Sequence, residues 1–371
     1  MPAKNLTPPR KRARFHSLEI AAVRPLTADA IEVAFAIPDE LAEDYSYDPG
    51  QYVALRAELE GDDLRRSYSI CQEPRTGELR VAIKRDRGGR FSTWAHEHLQ
   101  PGMTLDVMSP QGNFRTDLDA AEGKHFAAVV AGSGITPIMS LIRVVLATTE
   151  SARFTLVYTN RSAREVMFLD ELADLKDRYQ ERLVLHHVLS REERDAELLS
   201  GRITAERFET MLDAFIPPAF IDEWFLCGPF ELVDMVRTSL AAREVEPGSV
   251  HFELFTTGEP GQERPSGSRP VIVDDGGDVV KIQFTLDGRT ATVESPVASD
   301  ETLLNAALRV RADTPFACAG GVCGTCRAKV VQGDVQMREN YALEPDEIEA
   351  GYVLTCQSRP CGEHVVIDFD A

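Results

Sequence analysis

A chain of 371 residues, 43% hydrophobic and 27% charged, has the length for two or three domains and an ordinary globular composition. Its formal net charge of -20 argues against nucleic acid as a ligand, because phosphate binding needs a basic surface. No run of about 18 apolar residues offers a membrane span, and the opening MPAKNLTPPRKRARF lacks the apolar stretch of a secretory signal. The expected compartment is the cytoplasm, where thiols stay reduced and serve as metal ligands or reactive groups more often than as disulfides.

Taken in chain order, residues 1–13 read as a flexible basic tail carrying Arg10, Lys11 and Arg12. Residues 14–117 contain short alternating segments, IEVAFAI, QYVALRAEL, SYSI, LRVAIKR and TLDVMSP, separated by turn residues. That texture predicts an antiparallel barrel or sandwich. Residues 118–255 change character. HFAAVVAG is a short apolar run, and Ile138, Leu141, Ile142, Val145 and Leu146 follow at helical spacing. Further runs, FTLVYTN, LVLHHVL and EWFLCGP, alternate with helical segments, which predicts a doubly wound parallel sheet. Residues 256–270, dense in Gly, Pro and polar side chains, read as a linker. Residues 271–371 hold two alternating segments, a short helix with Asp300 or Ser299 as its N-cap, a cysteine loop and a closing strand, HVVIDF. A small mixed α+β domain is expected there.

The loop CAGGVCGTC gives the spacing Cys318-x4-Cys323-x2-Cys326, with Cys356 downstream. This is the plant-type [2Fe–2S] spacing. Gly320, Gly321 and Gly324 can adopt backbone angles closed to other residues and so let amides approach the cluster sulfurs. Zinc is the alternative, but its structural sites are commonly built from two separated cysteine knuckles, not three ligands in one loop. Cys356, within the apolar GYVLTCQS, is the expected fourth ligand, and Cys361, after Pro360, a bystander.

In VVAGSGITP, Gly132 and Gly134 follow an apolar strand, with Thr136 and Pro137 opening a helix. Glycines there let a pyrophosphate meet backbone amides and the helix dipole, although Pro137 replaces the third glycine of the dinucleotide fingerprint. After the next strand Arg161, Ser162 and Arg164 stand where a 2′-phosphate would lie, so NADPH is favoured over NADH. Cys227, Gly228 and Pro229 end another strand at the same sheet edge, with a small buried filler as the alternative role for Cys227. A nicotinamide gives two electrons as hydride and a [2Fe–2S] centre takes one, so a flavin is expected between them. RRSYSI supplies Arg66, Ser67, Tyr68 and Ser69 for it, and GGRFSTW supplies Gly89, Arg90, Phe91 and Ser92.

Together these motifs resemble the ferredoxin–NADP reductase superfamily. The resemblance implies an antiparallel FAD-binding barrel, a nucleotide domain and a β-grasp ferredoxin domain. It places Arg66 on the FAD phosphates, Tyr68 against the isoalloxazine and Ser69 near its reactive nitrogen, with Gly89 and Ser92 on the pyrophosphate. Gly132, Gly134, Thr136, Cys227 and Gly228 would form the nicotinamide side. Glu253 and Phe255, in HFELF, match a segment that brings an acidic and an aromatic residue towards the flavin. Trp94 stands where the family more often has an aliphatic residue, which leaves the adenine contacts open. No side chain is expected to act as nucleophile or proton-transfer base.

The domain order is that of oxygenase reductases, and the segment from Cys326 to Pro360 most resembles the reductases of phenylacetyl-CoA epoxidases. That implies a di-iron monooxygenase as protein partner. Reductases of steroid 9α-hydroxylases or ring-hydroxylating enzymes are the alternative, and a redox sensor without turnover is a second.

Overall fold

The computed structural model describes residues 13–255, 277–311, 314–316 and 318–371. The expected linker and nearly all of the expected tail lie outside the described residues. The first sheet has six strands, β1 (Phe15–Thr27), β2 (Ala30–Ala36), β3 (Tyr52–Leu59), β4 (Asp62–Ser69), β5 (Glu78–Lys84) and β6 (Thr104–Met108), in the order β4-β3-β6-β1-β2-β5. All pairings are antiparallel. A bridge between Ile70 and Val81 ties the end of β4 back to β5 and closes the sheet into a barrel. Alternation fills it: Leu18, Ile20, Val33, Phe35, Val53, Leu55, Val81 and Ile83 point inward and form one core. Helix α1 (Arg90–His98) covers one end through Phe91 and Ala95.

The second sheet is wholly parallel, with β7 (His125–Ala131), β8 (Arg153–Asn160), β9 (Leu183–Leu189), β10 (Glu223–Gly228) and β11 (Val250–Leu254) in the order β11-β10-β7-β8-β9. Successive residues of β7 feed opposite cores. Phe126, Ala128 and Val130 pack with α2 (Ile135–Thr148) and α3 (Leu169–Arg178). Ala127 and Val129 pack with α4 (Ala205–Ala214) and α5 (Phe230–Ala242). Burial on both faces explains why these strands read as unbroken apolar runs. The chain leaves β7 towards β8 on one side, while β10 lies on the other, so a crevice opens at the carboxyl ends of β7 and β10.

The third sheet is mixed, with β12 (Val279–Leu286), β13 (Arg289–Pro296), β14 (Arg327–Met337), β15 (Tyr352–Leu354) and β16 (Ser358–Asp368) in the order β13-β12-β16-β14-β15. Only β12 and β16 pair in parallel, the β-grasp arrangement, and α6 (Leu303–Val310) packs beneath them. The helix cap differs from the sequence expectation. Thr302 caps α6 by accepting from the Asn305 amide. Asp300 sits in left-handed backbone at the end of a preceding turn and pairs with Arg338 and Arg359. Ser299 is inside that turn, its hydroxyl bonded to the Pro296 carbonyl. A last short helix, α7 (Pro345–Glu349), precedes β15. No helix among the described residues is long and apolar enough to cross a membrane.

One half-buried carboxylate ties the second sheet together. Glu223 accepts from Lys124 at 2.7 Å and Thr116 at 3.0 Å, and lies 3.2 Å from His251. Burial alone would raise its pKa, but the His251, Lys124 and Thr116 contacts outweigh it and hold the carboxyl at about 2. A lowered folded-state pKa stabilises the fold above the unfolded value near 4.5, and that contribution fades as pH falls towards 2. Glu223→Gln should therefore cost about 2 kcal/mol at pH 7. The difference should shrink at pH 4 in paired denaturant titrations; a deficit that grows on acidification would contradict this account.

Candidate functional site

A cavity of about 320 Å³ brings the three motif sets to one place. Its walls include Arg66, Ser67, Tyr68 and Ser69 of β4, Gly132 and Thr136 after β7, and Gly228 and Pro229 at the end of β10. Glu253 and Phe255, at the end of β11, and Cys318 and Cys323 of the cysteine loop complete it. A larger hollow of about 700 Å³ between barrel and nucleotide domain contains none of these residues.

Strand β4 ends the strand order of the barrel sheet and carries Arg66, Ser67, Tyr68 and Ser69 to the cavity. Ser67 Oγ is buried with no hydrogen-bond partner, an orphan that fits a polar group missing from the cavity. The Tyr68 ring lies 5.9 Å from Phe91, which holds it at the cavity wall. These features suit a flavin. The residues of α1 itself lie beyond the wall. Ser92 Oγ accepts from the Asp86 amide and donates to the Gly89 carbonyl, closing the loop that carries Asp86 to the cavity. Phe91 is core, and Arg90 is engaged with Asp62 and Glu60.

The glycine loop is built for close approach. Gly132 has φ +54 and Gly134 lies against β10. A methyl on Gly134 would fall 2.6 Å from the Cys227 carbonyl carbon and nearer still to its oxygen. The buried Tyr158 hydroxyl donates to the Gly132 carbonyl at 2.9 Å, and Thr136 Oγ1 donates to Ser133 O at 3.0 Å, fixing the first turn of α2 with Pro137 inside it. Cys227 is fully buried in the core behind this loop. Arg161 pairs with Glu165 and lies 3.6 Å from Asp29; it, Ser162 and Arg164 lie outside the cavity wall.

Glu253 receives a hydrogen bond from Ser69 at 3.1 Å. Desolvation is the main cause that pushes its carboxyl up to about 8; Ser69 opposes the shift and the Cys323 sulfur adds to it. Residues that motif reading missed also line the cavity: Lys84, Asp86, Ser133 and Val322. Lys84 ends the alternating segment LRVAIK, and its pairing with Asp29 at 3.7 Å leaves it near Gly132. Position at a strand end was the available signal.

The four cysteines sit as two pairs. The Cys318 amide donates to Cys323 Sγ at 3.5 Å, and Cys326 and Cys356 share one buried cluster. Cys326 and Cys356 are buried with Leu304, Leu354 and Phe316, while Cys318 and Cys323 face the cavity. Among the described residues no three His, Cys, Asp or Glu side chains are placed to hold a single metal ion. Two sulfur pairs suit two bridged irons better than one tetrahedral zinc. The Gly320 amide already points at Cys318 Sγ at 3.3 Å. Cys361 is exposed on β16 opposite Asp334, away from the pairs.

Comparison with known proteins agrees with this arrangement. Residues 17–116 match an oxidoreductase FAD-binding domain, 129–238 an oxidoreductase NAD-binding domain, and 284–361 a 2Fe-2S iron-sulfur cluster binding domain. The chain is 45% identical over 357 residues to a component of the 1,2-phenylacetyl-CoA epoxidase of Escherichia coli, covering 96% of this chain and 98% of that one. It belongs to the oxygenase reductases of the ferredoxin–NADP reductase superfamily. Another oxygenase reductase, the ferredoxin reductase component of 3-ketosteroid-9-alpha-monooxygenase from Rhodococcus rhodochrous, is 34% identical, with 95% of this chain and 96% of the relative covered. The fold is shared with phthalate dioxygenase reductase, at TM-score 0.57 and 24% identity, over 95% of this chain and 98% of that one. The chain is thus an oxidoreductase that uses FAD, a nicotinamide nucleotide and a [2Fe–2S] cluster to supply an oxygenase with electrons.

Proposed function

We propose that this reductase takes electrons from NADPH and delivers them to a di-iron monooxygenase acting on phenylacetyl-CoA, in the cytoplasm. The observation that carries the electron path is the single cavity shared by the flavin motif, the nucleotide loop and Cys323. Bound flavin exchanges electrons in pairs with a nicotinamide and singly with an iron–sulfur centre, which is the chemistry needed at that junction.

The chain's own residues bind and orient. Arg66 and the orphaned Ser67 hydroxyl would hold the flavin nucleotide, with Tyr68 beside its ring; all three line the cavity. Gly89 and Ser92 shape the loop before α1 that receives the pyrophosphate. Gly132, Gly134 and Thr136 admit the nicotinamide nucleotide to the first turn of α2, and Gly228 and Pro229 form the facing wall. Cys318, Cys323, Cys326 and Cys356 hold the cluster. Catalysis is placement, with reacting groups held within one enclosure.

The nucleotide preference rests on Arg161, Ser162 and Arg164 beyond β8. The di-iron partner rests on the 45% identity to the epoxidase component. An excess of acidic over basic residues in positions 271–371 suits a basic docking face on that partner. Purified oxygenase components test the reading. Product formation from phenylacetyl-CoA should couple to NADPH oxidation with the epoxidase component and fail with a steroid or ring-hydroxylating one. NADPH should exceed NADH in kcat/KM by about tenfold, the worth of one charge-assisted contact to the 2′-phosphate. Equal support of all oxygenases, or a preference for NADH, would overturn the corresponding part.

A further inference from the structure

Arg65 precedes the flavin motif and lines neither hollow. It is 2% exposed, where a cation is seldom found. Alternation along β4 turns it away from Leu64, which is in the barrel core, and onto the face of Ser67 and Ser69 in the cavity wall. Its charge is met within its own strand, where Nη2 donates to Asp63 at 2.8 Å and Nε at 3.2 Å. The rest of the side chain reaches another domain. Nη1 donates to the Thr314 carbonyl at 3.1 Å, and the guanidinium lies 4.3 Å from the centre of the Phe316 ring and 5.2 Å from that of Phe15. Thr314 is itself wholly buried, so losing that donor would leave its carbonyl with no water to turn to.

We infer that Arg65 is a positioning residue: it pins the segment running into Cys318 against β4 and so sets the cysteine loop at the wall of the flavin cavity. Phe316 stands two positions before Cys318, which lines the cavity together with Ser67. One strand of the barrel thus meets this segment at Arg65 and again at the cavity. A planar guanidinium can serve a carboxylate, a carbonyl and a ring face at once, which an ammonium cannot. A buried arginine in such a place carries more of an interface than the contacts around it. The same seam also holds the Tyr52 hydroxyl, which donates to the Cys323 carbonyl, and the packing of Phe15 and Met108 with Tyr52. Those contacts keep the domain seated, so loss of Arg65 shifts the loop rather than frees it. Arg65 moves neither electron nor proton. Each electron that the flavin loses and the cluster gains originates in the nicotinamide hydride; Arg65 fixes how far it travels.

This inference rests on the four cysteines being cluster ligands. Laser-flash reduction of the flavin in the full holoprotein starts the internal transfer without waiting for hydride. Arg65→Met keeps an apolar stem and loses the fork, and flavin-to-cluster transfer should slow about tenfold. Its flavin reduction by NADPH, followed by stopped flow, should stay within about twofold of wild type. Arg65→Lys keeps the charge without the flat face and should slow the transfer about threefold. Phe316→Leu removes the facing ring and should act similarly; combined with R65M it should add little, because the two share one contact. In the resting protein, hydrogen exchange of peptides covering 314–323 should quicken about tenfold in R65M, while β12 and β16 keep wild-type protection. The EPR spectrum after dithionite should match wild type in every variant, the sign of an intact cluster. Wild-type transfer and exchange in R65M overturn the inference. So does equal slowing of hydride and internal transfer, which marks a merely structural residue. If R65M binds no flavin, R65K and F316L decide by the same readings. A wild type without a [2Fe–2S] signal would overturn the reading of the cysteines and this inference with it.

Discussion

Cys356→Ala should lose the iron–sulfur absorbance and slow electron delivery to a one-electron protein acceptor by about a hundredfold or more. The size follows from the share one ligand has in a four-thiolate site whose total binding energy is on the order of 10 kcal/mol. Removing Cys356 would leave one iron of a bound cluster with a single protein ligand, Cys326. The barrel and parallel sheet, with cores of their own, should still bind flavin and nucleotide. Reduction of ferricyanide by NADPH, which draws electrons directly from flavin, should therefore stay within about twofold of wild type, a limit well under 1.4 kcal/mol of barrier. Cys361→Ala is the control. Exposed on β16 and outside the sulfur pairs, it should change neither the spectrum nor delivery. The reverse pattern, an intact cluster in C356A and a lost one in C361A, would reassign the fourth ligand.

The second large effect lies at Gly134. A β-carbon there would overlap the Cys227 carbonyl, which belongs to the backbone of a central strand and cannot rotate away. Gly134→Ala must push α2 and the end of β10 apart. Overpacking of this kind costs about 1–3 kcal/mol of stability. Its effect on the reaction should be larger, because the displaced segments are the two walls proposed to hold the nicotinamide nucleotide. A misplacement of about 1 Å slows a positioned reaction about a hundredfold. Stopped-flow reduction of the flavin by NADPH should fall by that factor, while dithionite should still reduce flavin and cluster. Gly132→Ala separates strain from crowding. Its φ of +54 penalises any side chain, but the methyl would meet only Lys84 Nζ, at 3.9 Å. It should cost about 1–2 kcal/mol in stability and affect hydride transfer less than Gly134→Ala. Equal flavin reduction by G134A and wild type would show that the crevice is not the nucleotide site.

What the sequence made legible was what short stretches encode by themselves. Alternation marked the barrel strands, and unbroken apolar runs marked the parallel ones, because their residues feed cores on both faces. The cysteine spacing and the glycines after β7 were legible because each loop must fold around its ligand within a few residues. The misses share a different cause. Arg90 was read for a diphosphate with no sign of Glu60 and Asp62, about thirty positions earlier, which pair with it across the barrel end. The cap of α6 fell to Thr302 because Asp300 is drawn to Arg338 and Arg359 from another part of the domain. Lys84 and Tyr52 lie in segments whose alternation marks a strand and says nothing of the distant groups they meet. Tyr52 meets the cysteine loop across 271 residues, and no local periodicity records such a contact.

The central claim is that one enclosure couples a nicotinamide, a flavin and a two-iron centre held by Cys318, Cys323, Cys326 and Cys356. Anaerobic titration of the purified holoprotein with NADPH, followed by absorption and EPR together, tests it most directly. Flavin and iron–sulfur bands should both bleach, and the EPR signal of a reduced [2Fe–2S] centre should appear. A colourless protein containing zinc and no acid-labile sulfide, or a flavin that is reduced while the cluster stays oxidised, would contradict it.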